Sequence, residues 1–239
     1  FAHVDYGEAI AIIRDVLKAN VPAHGSIAFS GGLDSTVLMH ISGYRLSAYT
    51  AGFADSHDIA RADAVSNVLG FHVNHILLEK IDLMQHIRLL KDIDGTITKQ
   101  ETGYELILSV VLSTADGGEV VTGQGADEIF YGYRRTIESM NNVEQMKKLF
   151  ERTLPREKRI AAHYGKELIT PYLDSHIIDI ARSFGPDHHI RNGAGKAMIR
   201  DVARSLGLPE SIYSYGKKAA QYGSGIDRYL KKEKYFSII

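Results

Sequence analysis

A short run, Ser30-Gly31-Gly32-Leu33-Asp34-Ser35, carries the residue types that bind phosphate groups. Glycines let the backbone approach an oxyanion closely, and the N–H groups at the start of a following helix point at the same place. Asp34 would repel a bare phosphate, so its carboxylate implies a bridging Mg²⁺. No lysine follows the glycines, which excludes the Walker pattern. The run therefore predicts a phosphate loop that works with Mg²⁺, against the alternative of an ordinary turn between a strand and a helix.

A second run with similar residue types, Thr122-Gly123-Gln124-Gly125-Ala126-Asp127-Glu128, also follows an apolar segment. Open parallel sheets bind ligands beyond the carboxyl ends of their strands, so we expect both runs at the same edge of a sheet. Asp127 would then join Asp34 as a second carboxylate on the metal ion. Glu128 is explained by the favourable interaction of an acid with the first turn of a helix. A simple capped helix start is the alternative for the whole run.

The segments around these runs alternate between strand-like and helix-like patterns, which is typical of a parallel sheet covered by helices. The apolar patterns predict strands at 27–29, 46–52, 71–78 and 119–122, and helices at 8–18, 36–41, 59–69 and 103–115. We expect a single domain, with an α/β nucleotide-binding core over about 1–140 and a mainly helical extension over about 141–239. The polar stretch 152–159 is predicted to be a linker or an exposed turn.

Composition excludes several classes of protein. The 239 residues carry 28 Lys and Arg against 29 Asp and Glu, and this balance gives no basic footprint for nucleic acid or an anionic membrane. The chain contains no cysteine, which excludes disulfides, thiolate metal sites and a cysteine nucleophile. The longest apolar stretch, 106–115, is about half the length that a membrane span needs. We therefore expect a cytoplasmic protein without nucleic-acid or membrane partners.

The first run resembles the loop of the N-type ATP pyrophosphatases, which cut ATP between its α and β phosphates. Four blocks in order resemble the C-terminal synthetase domain of the glutamine-dependent asparagine synthetases and the related β-lactam synthetase. These blocks are Ser30 to Ser35; Gly52-Phe53-Ala54-Asp55-Ser56-His57-Asp58; Thr122 to Tyr133; and Thr170-Pro171-Tyr172-Leu173-Asp174 with Lys196 to Arg200, Leu208-Pro209 and Lys217. The resemblance runs from about residue 7 to about residue 230. It implies an adenine-nucleotide alpha-hydrolase-like (PP-loop) fold with a helical C-terminal extension.

The resemblance also implies which residues bind ATP and the metal ion. The positions that match ATP-binding residues are Ala28, Ser30, Gly31, Gly32, Asp34, Ser35, Gly52, Thr122 and Gly123. Asp34 and Asp127 match the ligands of Mg²⁺. Lys217 and Lys196 match lysines that stabilise negative charge on the phosphates, and Lys218 is adjacent to the first of them. Outside the motif, a solvated surface charge is the alternative for either lysine.

Gln124 departs from the pattern of the family. The asparagine synthetases have an acidic residue between the two glycines, and β-lactam synthetase has a tyrosine there. A glutamine amide orients a substrate but cannot act as a general base. We place Gln124 with Lys217 and Lys196 among the catalytic positions, and the departure leaves the identity of the acid substrate open.

The resemblance implies an AMP-forming ligase that uses ATP and Mg²⁺. A small carboxylic acid, by resemblance the β-carboxylate of aspartate, would attack the α-phosphate, and ammonia or another amine would then form an amide such as asparagine. The glutaminase domain of the family relies on a cysteine, and this chain has neither. Its ammonia would therefore be free or come from a separate glutaminase partner, unless the chain is the synthetase half of a longer protein. The alternative functions are a non-catalytic nucleotide-binding module and an amide ligase for a different acid. A homodimer is a possible assembly.

Overall fold

A parallel sheet lies at the centre of the computed structural model, which describes residues 4–214 and 223–232. Its strands are β1 (Ser26–Ala28), β2 (Ser47–Gly52), β3 (Val73–Leu77), β4 (Glu119–Val121) and β5 (Glu167–Ile169). Their order across the sheet is β3-β2-β1-β4-β5, and every neighbouring pair is parallel. Ile27 at the centre is paired with Ala48 on one side and with Val121 on the other. The predicted α/β class with a parallel sheet is confirmed.

Helices connect and cover these strands throughout the described residues. They are α1 (Tyr6–Asn20), α2 (Leu33–Ile41), α3 (His57–Leu69), α4 (Leu83–Ile93), α5 (Lys99–Thr114), α6 (Ala126–Ile129), α7 (Arg134–Ser139), α8 (Val143–Lys148), α9 (Leu154–His163), α10 (Ser175–Arg182), α11 (Pro186–His189), α12 (Ala197–Ser205), α13 (Glu210–Tyr213) and α14 (Ile226–Lys232). Short 3₁₀ turns lie at Leu78–Lys80 and Pro171–Leu173, and a π-helical turn spans Leu149–Thr153. Thr98 and Glu101 form a capping box that starts α5, because each side chain accepts a hydrogen bond from the other residue's backbone N–H.

Two hydrophobic clusters cover the two faces of the sheet. Successive strand residues point to opposite faces, so Val121 packs into one cluster and its neighbour Val120 into the other. The first cluster includes residues of α1, α2, α3, α10 and α12, and the second includes residues of α4, α5, α9 and α14. The sheet is therefore buried on both sides, as parallel sheets are.

The connections of the sheet change direction between β1 and β4. The chain passes from β1 to β2 and β3 on one side, and then returns to place β4 and β5 on the other side. Such a switch point leaves a crevice outside the carboxyl ends of the two central strands. Ser30 lies two residues after the end of β1, and Thr122 immediately follows β4. The fold thus brings the two glycine-containing runs to the same crevice.

Two features after residue 140 differ from the sequence-based expectations. The stretch 152–159, predicted to be a linker or exposed turn, lies in the π-helical turn and in α9, and Arg156 within it is fully buried. That prediction was wrong because two of its arginines, Arg152 and Arg156, pair with largely buried acids. β5, which the sequence patterns did not predict, adds the fifth strand to the sheet. Among the described helices, none is long and apolar enough to cross a membrane.

Candidate active site

The first glycine run forms a tight loop between β1 and α2. Gly31 has a φ of +69°, and a Cβ added there would lie 2.8 Å from the backbone oxygen of Arg61. Only glycine fits such a position, because other residues meet both backbone strain and a clash. Arg61 in turn donates from Nε to the Gly31 carbonyl over 3.1 Å. The hydroxyls of Ser30 and Ser35 lie 3.5 Å apart, so the loop presents hydroxyl and backbone groups at the start of α2.

The second glycine run packs directly against the first. A Cβ on Gly123 would lie only 3.0 Å from the Cβ of Asp34, so glycine at this position lets the two loops touch. Gly125 has a φ of +91°, and its open side is filled by the side chain of Leu173. The neighbouring Tyr172 is fully buried and donates its hydroxyl to the Asp34 carbonyl over 3.1 Å. The fourth sequence block therefore contacts both loops, the first through Tyr172 and the second through Leu173.

Three buried charged side chains meet where the loops touch. The Nζ atom of Lys196 lies 2.6 Å from Oδ2 of Asp34 and 2.6 Å from Oδ1 of Asp127. The exposed fraction of the side chain is only 6% for Lys196, 8% for Asp34 and 14% for Asp127, so these contacts are made largely out of water. Charge-assisted hydrogen bonds of this length are strong. We call Asp34, Asp127 and Lys196 the carboxylate–lysine cluster.

The backbone around Lys196 is shaped to deliver its ammonium group. Lys196 has a φ of +61°, which is unusual outside glycine, and its N–H donates to the Phe130 carbonyl over 2.8 Å just before α12 begins. Gly195 lies so close to Tyr131 that a Cβ would overlap the backbone of Tyr131. Gly132 is equally constrained, since a Cβ there would overlap both Asp127 and the lysine stem. These close approaches position the backbone of Lys196 beside the two loops.

A cleft of about 700 Å³ opens in front of the loops. Of the predicted site residues, Ala28, Ser30, Gly32, Asp34, Ser35, Thr122, Gly123, Gln124 and Asp127 line it. Gly31 and Gly52 shape the backbone beside it instead, and the open side of Gly52 is filled by Ser56, the N-cap of α3. The structure thus brings together most of the residues that the sequence assigned to ATP and the metal ion. Lys217 and Lys218 lie outside the described residues.

Gln124 makes a specific contact inside the cleft. Its Nε2 donates to Oε1 of Glu157 over 2.5 Å, and its Oε1 accepts a hydrogen bond from the Gly125 N–H over 3.1 Å. The second bond fixes the orientation of the amide, because only the carbonyl oxygen accepts from an N–H. Burial, followed by repulsion from nearby carboxylates, raises the pKa of Glu157 well above its ordinary value. Gln124 therefore joins the second loop to a buried carboxyl group on α9.

A network of buried charges continues behind Glu157. The Arg156 guanidinium contacts Oε1 of Glu105 at 2.7 Å and Oδ2 of Asp94 at 3.0 Å, and no part of the arginine side chain is exposed. Burial raises the pKa of Glu105 to about 7, although Arg156 opposes that change. The same arginine is held beside Glu101, whose pKa is lowered by its hydrogen bonds to Arg152 and to the N-cap. Paired buried charges thus join α9 to α5 and to the end of α4 behind this wall of the cleft.

The sequence matches the family model for asparagine synthase over residues 13–148 and 143–235. The chain belongs to this family. It is 27% identical over 253 residues to the putative glutamine-hydrolyzing asparagine synthetase 1 of Methanocaldococcus jannaschii, covering 86% of this chain and 47% of that protein. It is 28% identical over 216 residues to the glutamine-hydrolyzing asparagine synthetase of Mus musculus, covering 81% of this chain and 38% of that protein. The chain therefore spans less than half the length of these curated relatives.

The cleft is also lined by residues that sequence reasoning did not assign to the site. They include His57, Asp58, Arg61, Tyr104, Glu128, Arg135, Lys148 and Glu157. His57 and Asp58 belong to the second matched block and could have been found there. Tyr104, Lys148 and Glu157 lie on helices far from any motif, and only the packing of α5, α8 and α9 brings them to the cleft. No local signal in the sequence marks them.

The carboxylate–lysine cluster has a donor set that fits Mg²⁺ together with a nucleotide. In proteins Mg²⁺ is commonly held by one or two carboxylates plus phosphate oxygens and water. Asp34 and Asp127 supply two carboxylates around one point, and the phosphate loops lie beside them. Within residues 4–214 and 223–232 there is no group of three or more His, Asp or Glu side chains that could hold a metal ion without such help. The Mg²⁺ assignment stays a prediction.

Proposed function

We propose that this asparagine synthase family member is an ATP-dependent ligase that forms an amide, releasing AMP and pyrophosphate. The observation that carries the proposal is the meeting of two glycine-containing loops and the carboxylate–lysine cluster at the switch point of a parallel sheet. Two such loops that touch, as at Gly123 and Asp34, suit a polyphosphate better than a single anion. The names of the relatives favour aspartate as the acid and asparagine as the product.

The cleft offers suitable surroundings for each part of ATP. Apolar side chains of α5, among them Ile107, Leu108 and Val111, line it beside Ala28 and would pack against the adenine ring. The hydroxyls of Ser30 and Ser35 and the start of α2 would donate to the phosphates. Binding the nucleotide in this way would bring its α-phosphate near the contact between the two loops.

The reaction we propose has two steps. A carboxylate oxygen of the acid attacks the α-phosphorus, the bond to the bridging oxygen breaks, and pyrophosphate leaves with that electron pair. The resulting acyl-adenylate then accepts an amine at its carbonyl carbon, AMP departs, and the amine loses a proton. Both steps develop negative charge on phosphate oxygens, which positive groups fixed in place can stabilise.

Named residues would carry these tasks. Lys196 would balance charge beside the loops, and Lys217 would do so from the segment outside the described residues. Asp34 and Asp127 would hold Mg²⁺, which supplies charge neutralisation on the phosphate oxygens when bound. Gln124 would orient the acid or the amine, since its amide cannot remove a proton.

A second candidate function is a nucleotide-binding module that does not turn ATP over. The observation that favours it is Gln124, which places a neutral amide where the family pattern has an acid and bonds that amide to Glu157. Such a module would bind ATP through the same two loops. It would release no pyrophosphate with any acid and amine.

The test measures pyrophosphate release from ATP and Mg²⁺, with aspartate and ammonium each added or withheld. Pyrophosphate that appears only with aspartate, and asparagine only when ammonium is also present, is the expected result. Asp34→Asn should abolish release, whereas Asp92→Asn, on the exposed surface of α4, should not change it. Saturable ATP binding without pyrophosphate across a panel of acids and amines would overturn the ligase and establish the binding module.

A second comparison tests the lysine outside the described residues. Lys217→Ala should remove pyrophosphate release while ATP binding, measured by calorimetry, is kept. The matched control is Lys231→Ala on α14, where the side chain is largely exposed and pairs with Asp227 over 2.7 Å. If Lys217→Ala loses ATP binding instead, that residue serves binding rather than the chemical steps.

A further inference from the structure

The ammonium group of Lys196 lies at the point where the two phosphate loops bring their carboxylates together. Its Nζ contacts one oxygen of Asp34 and one oxygen of Asp127 at the same distance, 2.6 Å. These are the two side chains whose carboxylates fit Mg²⁺. One small cation therefore already bridges the pair that a metal ion would use.

We propose that Lys196 acts as a built-in counter-cation that competes with Mg²⁺ for Asp34 and Asp127. In the protein without nucleotide, the lysine holds the two loops together. When a metal–nucleotide complex binds, the lysine gives up the carboxylates and turns its ammonium to the phosphates. This inference rests on the metal-binding part of the proposed function and on no chemical step.

Competition follows from the shared oxygen atoms and from charge. Mg²⁺ takes oxygen ligands at about 2.1 Å, and an ammonium donates to a carboxylate at about 2.7–2.9 Å, so both need the same space between the oxygens. Two positive charges at that point would also repel each other strongly in a site this buried. Lys196 and a metal ion bound through the same two oxygens would therefore exclude each other.

The lysine is anchored by its backbone and free to turn by its side chain. Its N–H is bonded to the Phe130 carbonyl, so the backbone need not move. The lysine side chain is a flexible four-carbon stem that ends in a compact ammonium group, whereas arginine ends in a planar guanidinium. Gly132 lies against this stem and has no side chain that would block it. We therefore expect rotation about the side-chain bonds to redirect the ammonium without a change in the backbone.

The test measures metal binding and stability without nucleotide. Mn²⁺ is the probe, and free Mn²⁺ is counted by electron paramagnetic resonance for the wild type, Lys196→Met and Lys166→Met. The last variant is the matched control, because its lysine donates to the Ala115 and Gly117 carbonyls at 2.5 Å, away from the cluster. We expect Lys196→Met to bind Mn²⁺ about tenfold more tightly than the wild type, and Lys166→Met to bind it with unchanged affinity.

Thermal unfolding supplies the second readout. Lys196→Met should melt at a lower temperature than the wild type in EDTA, because the shared cation is gone, and Mg²⁺ should restore most of that loss. Mg²⁺ should have little effect on the melting temperature of the wild type, and equally little on that of Lys166→Met. Lys196→Gln, which keeps a hydrogen-bond donor without the charge, takes the same two tests in case the methionine variant does not fold.

Several outcomes overturn the inference. Equal or weaker Mn²⁺ binding by Lys196→Met refutes the competition, as does the absence of Mn²⁺ binding in all three proteins. Failure of both Lys196→Met and Lys196→Gln to fold even in Mg²⁺ refutes it too, since the metal should replace the missing ammonium. Neither readout uses pyrophosphate release, so the inference and the ligase proposal can fail separately.

Discussion

Arg156→Met removes the cation at the centre of the buried charge network beside the cleft. The guanidinium contacts Glu105 at 2.7 Å, Asp94 at 3.0 Å and Glu101 at 3.5 Å, and none of it is exposed. Methionine fills a similar volume but leaves the buried acids without this partner. Removing one member of a buried ion pair costs about 3–5 kcal/mol of unfolding free energy. We expect a loss of that size at neutral pH.

The assay is urea unfolding at pH 7, with Arg159→Met as the matched control. Arg159 lies three residues further along α9, is exposed, and makes one hydrogen bond to the Ile93 carbonyl. Replacing it should cost less than about 1 kcal/mol, as most surface substitutions do. The slope of the unfolding free energy against urea should be equal in both variants, which shows that the comparison concerns stability alone.

The pH dependence of the Arg156→Met loss supplies an internal check. Burial raises the pKa of Glu105 to about 7 in the folded protein, above the ordinary value of 4.5. A carboxyl whose pKa is raised on folding stabilises the fold at low pH, and that contribution is lost as the pH rises through the folded value. Without Arg156 the pKa rises further, so the variant continues to lose stability above pH 7, where the wild type levels off, and its deficit should grow as the pH rises above about 7. A deficit under about 1 kcal/mol, or one equal to that of Arg159→Met, would refute the reasoning.

Three further predictions concern single sites. Gly132→Ala should lower pyrophosphate release at least tenfold, because a Cβ there overlaps the carboxylate–lysine cluster, whereas Gly118→Ala, with open space around it, should not; equal activities would contradict the geometry. Gln124→Glu places a second carboxyl beside Glu157, whose pKa is already raised. The melting temperature of this variant should therefore fall more than that of the wild type as the pH rises above the ordinary glutamate value of 4.5, and an unchanged pH profile would argue against the contact. Burial lowers the pKa of His86, so wild-type stability should fall as the pH drops below about 6.5, the ordinary histidine value. His86→Gln should lose less unfolding free energy between pH 7 and pH 5, and an equal loss would exclude His86 as the source.

The sequence predicted the parts of the site that depend on local backbone shape. Gly31 has a positive φ and Gly123 lies very close to Asp34, and glycine is the residue type that both situations favour. The carboxylates of Asp34 and Asp127 follow these glycines at short spacing. Alternation of strand and helix patterns then predicted that both runs lie at one edge of a parallel sheet, which the structure confirms.

Contacts between distant residues could not be predicted in the same way. Lys196 meets Asp34 across 162 positions of the chain, and nothing near either residue specifies the partner. The stretch 152–159 was misjudged for a related reason, because its polarity indicates exposure unless the acids that pair with Arg156 are known. These acids, one just after α4 and two on α5, are brought to Arg156 only by the fold. Burial of a charge is thus a property of the pair, and a sequence pattern shows one member at a time.

The two loops create an electrostatic problem that the rest of the chain resolves. Bringing Asp34 and Asp127 to one buried point is unfavourable unless a positive charge accompanies them. The residues before 140 supply the loops, and the lysine that bridges the two acids comes from the start of α12. Tyr172 supports the same loop from the fourth block, through its bond to the Asp34 carbonyl. The helical region after 140 is therefore part of the site, since it both neutralises the acids and holds the loops that carry them.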